Sequence, residues 1–314
     1  FRRGRTSFRT WICSQIARPG VKKRLNLARG DARRNASGAD GRIFRTQRRD
    51  SELPTRFRHP IVACMCGRYV SPDREAIVER WPKIRCGCGN EWKPSHNVAP
   101  TATVPILIQA SDGALELRAA RWGLIPAWWN QDAPPSATFN ARDEEAAQKP
   151  IWRDSLRTAR CLMPARGWYE WHRSEPALDA AGREGRQPYF LFSPGEPVLA
   201  FAGIWSVRER PGTAPLLSCA LLTRKAADGI SSIHPRMPTV LKPENQARWL
   251  DPSIAPDEIQ ALLADAQRNL GAYPVSTRVN DARNDGPELM DQIQPAPVGL
   301  FRLEEPQANP EPGP

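Results

Sequence analysis

The chain has 314 residues, a quarter of them charged, and a formal net charge of +11. The charge is unevenly placed: residues 1–64 hold 17 of the 45 Lys+Arg and 4 of the 34 Asp+Glu, leaving 28 basic and 30 acidic residues in the other 250. A nucleic-acid partner for the body of the chain therefore needs a local patch rather than net charge. No apolar run approaches the ~18 residues of a membrane-spanning helix, which excludes that class.

In chain order, residues 1–64 show no sustained hydrophobic periodicity and are expected to form a basic, disordered leader. Ten of the eleven tryptophans follow Met65, so the packed core is expected to begin there. The seven cysteines (13, 64, 66, 86, 88, 161 and 219) are odd in number and irregularly spaced. That pattern points to a reduced, intracellular, cytoplasmic setting. Ser71-Pro72-Asp73 ahead of Arg74–Trp81 gives a cap, a proline read as the first helical residue, and an apolar face. Strands are expected over 104–109, 115–124, 189–192, 198–206 and 218–223. Helices are expected over 143–158, broken or kinked at Pro150, and over 245–250 and 256–267. The last has an apolar stripe at Ile259, Leu262 and Leu263. Strands outnumber helices without regular alternation, so the class is α+β with a mostly antiparallel sheet. The proline-rich tail, 297–314, is expected to be unstructured.

Cys86-Gly87-Cys88 is too tight for zinc spacing, and His96 and His172 have no paired ligands, so no metal and no cofactor is expected. The nucleotide-binding GxxxxGK[ST] pattern is missing. Trp128 and Trp129 follow Pro126 in a loop, where at least one indole should be exposed and able to stack on an unpaired base; a corner capping the sheet is the plainer alternative. Asn140 and Arg142 stand at a loop-to-helix junction, where Asn140 reads equally as an N-cap. In Gly167-Trp168-Tyr169-Glu170-Trp171 a strand would place Glu170 on the face of Trp168. A carboxyl against apolar rings has a raised pKa and suits proton transfer, unless it merely reaches water from an edge. His234 and Arg236 lie in a proline-stiffened loop, Ser232 to Pro238, of the kind that carries function.

Seven fragments resemble, in order, those of the SOS response-associated peptidase family, also called abasic-site processing proteins. They are Met65–Arg68, Asn97–Thr101, Arg121–Pro126, Phe139–Glu144, Cys161–Trp171, Ser232–Pro238, and Val275–Asn280 with Asn284–Leu289. The resemblance spans about residues 65–296. It implies a compact domain around a barrel-like sheet with flanking helices. It implies Cys66 as the nucleophile, with Asn140, Glu170 and His234 as catalytic neighbours and Thr223 supporting Glu170. Arg68, Pro100, Trp128, Trp129, Arg142 and Arg236 match positions that look like DNA contacts. The implied partner is single-stranded DNA containing abasic sites, with replication-fork proteins as a further class, no membrane, and a monomer.

The chemistry explains why the cysteine should come first. A ring-opened abasic site presents an aldehyde, which an α-amine attacks to give a Schiff base. The thiol on the adjacent carbon then closes a thiazolidine. An internal cysteine could offer only a labile hemithioacetal. We therefore expect Met65 to be the true start, with residues 1–64 joined upstream of it and Met65 then removed. An organelle presequence and late processing after Met65 are the alternatives. Thiol peptidase activity through Cys66, His234 and Glu170, including self-cleavage before Cys66, and non-covalent single-strand binding are the competing functions.

Overall fold

A computed structural model describes residues 66–294 apart from 88–91, 132–133 and 135–136. The leader, Met65 and the proline-rich tail expected from the sequence lie outside the described residues. The elements are β1 (Tyr69–Val70), α1 (Arg74–Arg80), β2 (Arg85–Cys86), β3 (Thr103–Gln109), β4 (Leu115–Trp122), β5 (Asn140–Arg142), α2 (Asp143–Ala146) and α3 (Pro150–Thr158). There follow β6 (Arg160–Ala165), β7 (Gly167–Leu178), β8 (Glu184–Phe192), β9 (Leu199–Arg208), β10 (Leu216–Lys225), β11 (Arg236–Pro238), α4 (Pro243–Leu250), α5 (Pro256–Ala264) and β12 (Gly271–Pro274).

Strands β4, β3, β6, β9 and β10 are paired antiparallel in that order. A parallel seam between β10 and β4, with Ser218 opposite Arg121 and Cys219 opposite Trp122, closes them into a five-stranded barrel. The fold is α+β, as the sequence implied. Side chains alternate along each strand. Val104, Ile106, Trp122, Cys161, Met163, Phe201, Cys219 and Leu221 share one cluster. Their neighbours Leu107, Leu117, Leu162, Ala202 and Leu222 instead pack with Trp152, Leu156, Trp249, Ile259 and Leu262 from the helices. The first set therefore fills the barrel, and the second lies under α3, α4 and α5.

Local signals explain most helix ends. Asp73 caps α1, its carboxylate accepting from the Ala76 N–H at 2.7 Å. Pro72 thus precedes the cap and is not the first helical residue. Pro150 does not kink a long helix. It opens α3, where its missing N–H costs nothing. The span 143–158 is consequently two helices.

A second sheet, in the order β1-β7-β8-β12, lies outside the barrel path. It is backed by Val70, Tyr169, Phe190, Val275, Val279 and Leu289. Gly167 lets β7 pass close to β8, since a Cβ there would meet the Leu191 carbonyl and the Phe190 ring at 2.4 Å. Asn97, buried, ties the 279–284 segment down. Its amide nitrogen lies 2.9, 3.0 and 3.3 Å from the carbonyls of Asn284, Asp281 and Val279, and its oxygen accepts from Arg68 at 2.8 Å. Asn97→Ala strips several carbonyls of their donor, so urea unfolding should show a loss of ~2–4 kcal/mol.

Candidate active site

The register of β1 on β7 brings the first described residues to the site. Tyr69 sits opposite Trp168 and Val70 opposite Gly167, and the Tyr169 N–H donates to the Arg68 carbonyl at 3.0 Å. Running that register back by two residues sets Gly67 opposite Glu170, with Cys66 just beyond. Cys66 is buried and packs in the barrel-side cluster with Trp168. It holds φ at 48°, a left-handed conformation uncommon outside glycine.

Glu170 lies on the Trp168 face of β7, as the strand reading required, and is 1% exposed. Burial pushes its pKa from the ordinary 4.5 to about 8, although the Cys66 thiol and main-chain N–H both donate to it and favour the charged form. His234 Nδ1 stands 3.7 Å from Glu170 Oε2. Its ring is fixed by its own turn: Nδ1 lies 2.9 Å from the Arg236 carbonyl and 3.2 Å from the Arg236 amide nitrogen. Burial lowers its pKa; the Arg236 carbonyl opposes this, and the charges of Arg173, Arg186 and Arg236 add to the lowering. Asn140 comes from β5, a short strand laid parallel on β10 with Asn140 opposite Leu221. It is no N-cap, because α2 starts three residues later. Its side-chain amide donates to the Cys66 carbonyl at 3.3 Å. Cys66 and His234 thus meet at the Glu170 carboxyl, and Asn140 joins them through the Cys66 main chain.

Thr223 is buried one strand away. Its hydroxyl lies 3.5 Å from the Ala141 carbonyl and 3.4 Å from Arg236 Nη2, and no hydrogen bond joins it to Glu170. It braces β5 against β11 instead. Arg236 forks onto Glu144 at 2.5 and 2.9 Å, which holds that carboxyl down at about 2. Arg68 directs its guanidinium at the carbonyls of Val279 and Asn280, at 2.8 and 3.2 Å, besides Asn97. Both arginines therefore hold loops in place. Arg142 is half exposed and pairs with Glu145 at 3.1 Å. Pro100 is half-buried in the turn before β3. Trp128 is 56% exposed, Trp129 is half-buried, and their rings meet edge to face at 5.6 Å. They ride on the loop that ends at Asn140.

Two cations escaped the sequence reading. Arg173 on β7 and Arg186 on β8 are exposed, and neither guanidinium has a hydrogen bond or ion pair among the described residues. Both are near enough for their charges to act on His234. Their only sequence signal is a pair of arginines flanking a strand turn, which also describes any solvated hairpin. Cys161 and Cys219 are fully buried, and burial raises both thiols well above their ordinary pKa. They are core residues.

A buried thiol, carboxyl and imidazole thus lie together, and the comparisons give the chain a family. The family model described as SOS response associated peptidase (SRAP) matches residues 65–282, and the chain belongs to that family. "Abasic site processing protein YoqW" of Bacillus subtilis is 35% identical over 232 residues, covering 72% of this chain and 99% of that protein. "Abasic site processing protein HMCES" of Xenopus tropicalis is 31% identical over 271 residues, covering 73% and 78%. A crystal structure of a Bacteroides thetaiotaomicron protein aligns with TM-score 0.59 at 23% identity, over 73% of this chain and 100% of its own. That last likeness shows the fold.

Proposed function

We propose that this protein processes abasic sites in single-stranded DNA by capturing the ring-opened sugar on Cys66, acting as a terminal residue with a free α-amine. The names of its relatives support the lesion, and one observation supports the chemistry. Sulfur and main-chain nitrogen of the same cysteine both face a single buried carboxyl. Those are the two atoms a thiazolidine needs.

In the reactive form, the amine and Glu170 share a proton. A buried site disfavours the ammonium–carboxylate pair, because both charges lose hydration. The neutral pair, amine beside carboxylic acid, is the form poised to react. The amine adds to the sugar aldehyde, and the carboxylic acid protonates the oxygen that leaves as water. The thiol then adds to the resulting imine carbon, its proton returning through Glu170 to the amine nitrogen. The balance is aldehyde plus aminothiol giving thiazolidine plus one water. With its pKa lowered, His234 is neutral at pH 7 and suited to accept a proton, so Glu170 is the better acid for opening the sugar ring. Asn140 holds the Cys66 main chain in place. Trp128 offers an indole face to a neighbouring base, a contact worth ~1–3 kcal/mol. Arg173, Arg186 and Arg142 offer cations to the phosphates.

The family's description as a peptidase fits release of Cys66 from the residues before it, for which the same thiol, imidazole and carboxyl suffice. The test is an abasic oligonucleotide incubated with two proteins, one beginning at Cys66 and one keeping the residues before it uncleaved. The first should give a heat-stable adduct whose intact mass is protein plus DNA minus one water; the second should give none. Equal adduct from the blocked protein would overturn the reading.

A further inference from the structure

The sulfur of Cys66, a carboxylate oxygen of Glu170 and a ring nitrogen of His234 all lie within 4.8 Å of one another, and all three residues are buried. Thiolate, imidazole and carboxylate are the ligands that zinc takes, at about 2.0–2.3 Å each in a tetrahedron, which puts ligand atoms about 3.3–3.6 Å apart. Glu170 and His234 Nδ1 are 3.7 Å apart, just outside that range, and Nδ1 exchanges its contacts with the Arg236 main chain for the metal. Closing the widest gap takes roughly 1 Å of side-chain movement, given those bond lengths. Sequence spacing hid this set, because its members stand at positions 66, 170 and 234 and meet only through β1, β7 and the turn before β11.

We propose that Cys66, Glu170 and His234 form a binding site for a thiophilic divalent cation of the zinc class, and that its occupation blocks the reactive thiol. Binding expels the thiol proton and the Glu170 proton to solvent, leaving the sulfur as a metal-bound thiolate. The full-length chain offers three donors and an open position for water. A chain beginning at Cys66, a form that rests on the function proposed above, offers a fourth. There the α-amine and sulfur of one residue close a five-membered chelate, since both face Glu170. The group that traps an aldehyde is thus also the better chelator. Metal and lesion compete for the same two atoms.

The Bacillus subtilis relative matches 72% of this chain over 99% of its own length, which supports testing a chain that begins at Cys66 beside the full one. Cobalt(II) serves as the probe, with Cys13, Cys64, Cys86 and Cys88 changed to Ser to remove other thiol ligands. One equivalent should produce a thiolate-to-cobalt charge-transfer band and the strong visible bands of four-coordinate cobalt. The chain beginning at Cys66 should bind at least tenfold tighter than the full chain. Cys66→Ala and Cys66→Ser should each lose the charge-transfer band while keeping the thermal unfolding transition. Glu170→Gln and His234→Asn should each weaken binding at least tenfold. Zinc should displace cobalt and stop adduct formation, and a chelator should restore it. No charge-transfer band in the parent proteins, or a full band in the Cys66 variants, would overturn the site. A cobalt band without any adduct under metal-free conditions would spare this site and sink the proposed function. An adduct without a cobalt band would do the reverse.

Discussion

In a chain that begins at residue 66, Cys66→Ala should abolish the heat-stable adduct with abasic DNA yet still form an imine that borohydride can trap. The two outcomes separate the two atoms of the residue. Alanine keeps the α-amine, beside Glu170, so attack on the aldehyde survives. It lacks the sulfur that closes the ring, so the imine stays open to water and reverses. The adduct measured without reductant should fall to background, whereas the reduced adduct should persist at a comparable level. Barrel packing should suffer little, because the change removes one sulfur atom from a residue outside the barrel strands. If the variant gives neither product although its melting is unchanged, the amine is not the attacking group. A heat-stable band of full intensity without reductant would remove the thiol from the mechanism.

Glu170→Gln should stabilise the full-length protein near pH 8 and cripple its chemistry. The carboxyl has a pKa of about 8 in the fold against an ordinary 4.5. Between those values the folded state holds a proton that the unfolded chain has released, so stability falls as pH rises from about 4.5 to about 8. The accumulated loss is on the order of 5 kcal/mol. Gln keeps the shape and never ionises, so its urea-unfolding profile should be flatter across that window and lie above the wild type at the alkaline end. Below pH 4.5 the two should coincide. Adduct formation, deprived of its proton carrier, should slow by ~10²–10⁴-fold. A variant no more stable than wild type at pH 8 would mean that the carboxyl is not held neutral by burial. Such an exchange of stability for reactivity is common where a site must keep an ionisable group out of water.

Much of the barrel was legible in the residues. Val104–Gln109, rich in β-branched residues, and Ser218–Thr223, largely apolar, each became part of a strand. Strand β6 escaped because all six of its residues are buried, which erases the alternation that marks a strand with one wet face. Strands β1, β5 and β11 are two or three residues long and exist through their partners alone; no local pattern could announce them. At the site, Glu170 between aromatics foretold its own raised pKa. The seven fragments brought Cys66, Asn140 and His234 to attention by resemblance, and the fold places them together. Sequence could not say what an arginine is spent on. Arg68 and Arg236 looked like phosphate ligands, yet their guanidiniums fasten loops. Arg173 and Arg186 drew no notice, yet they are exposed, with guanidiniums that have no ion pair among the described residues. A guanidinium's partners are set by tertiary geometry, which spacing along a chain does not encode.

The backbone angle of Cys66 carries a last consequence. A φ of 48° costs an L-residue with a side chain roughly 1 kcal/mol or more, and the angle is defined by the carbonyl carbon of the residue before it. Once that residue is cut away, the torsion ceases to exist and its energy is released. Cleavage ahead of Cys66 is therefore downhill by more than an ordinary peptide bond, and religation is correspondingly harder. Liberating the amine would act as a one-way latch, set by the same cramped backbone that aims nitrogen and sulfur at Glu170.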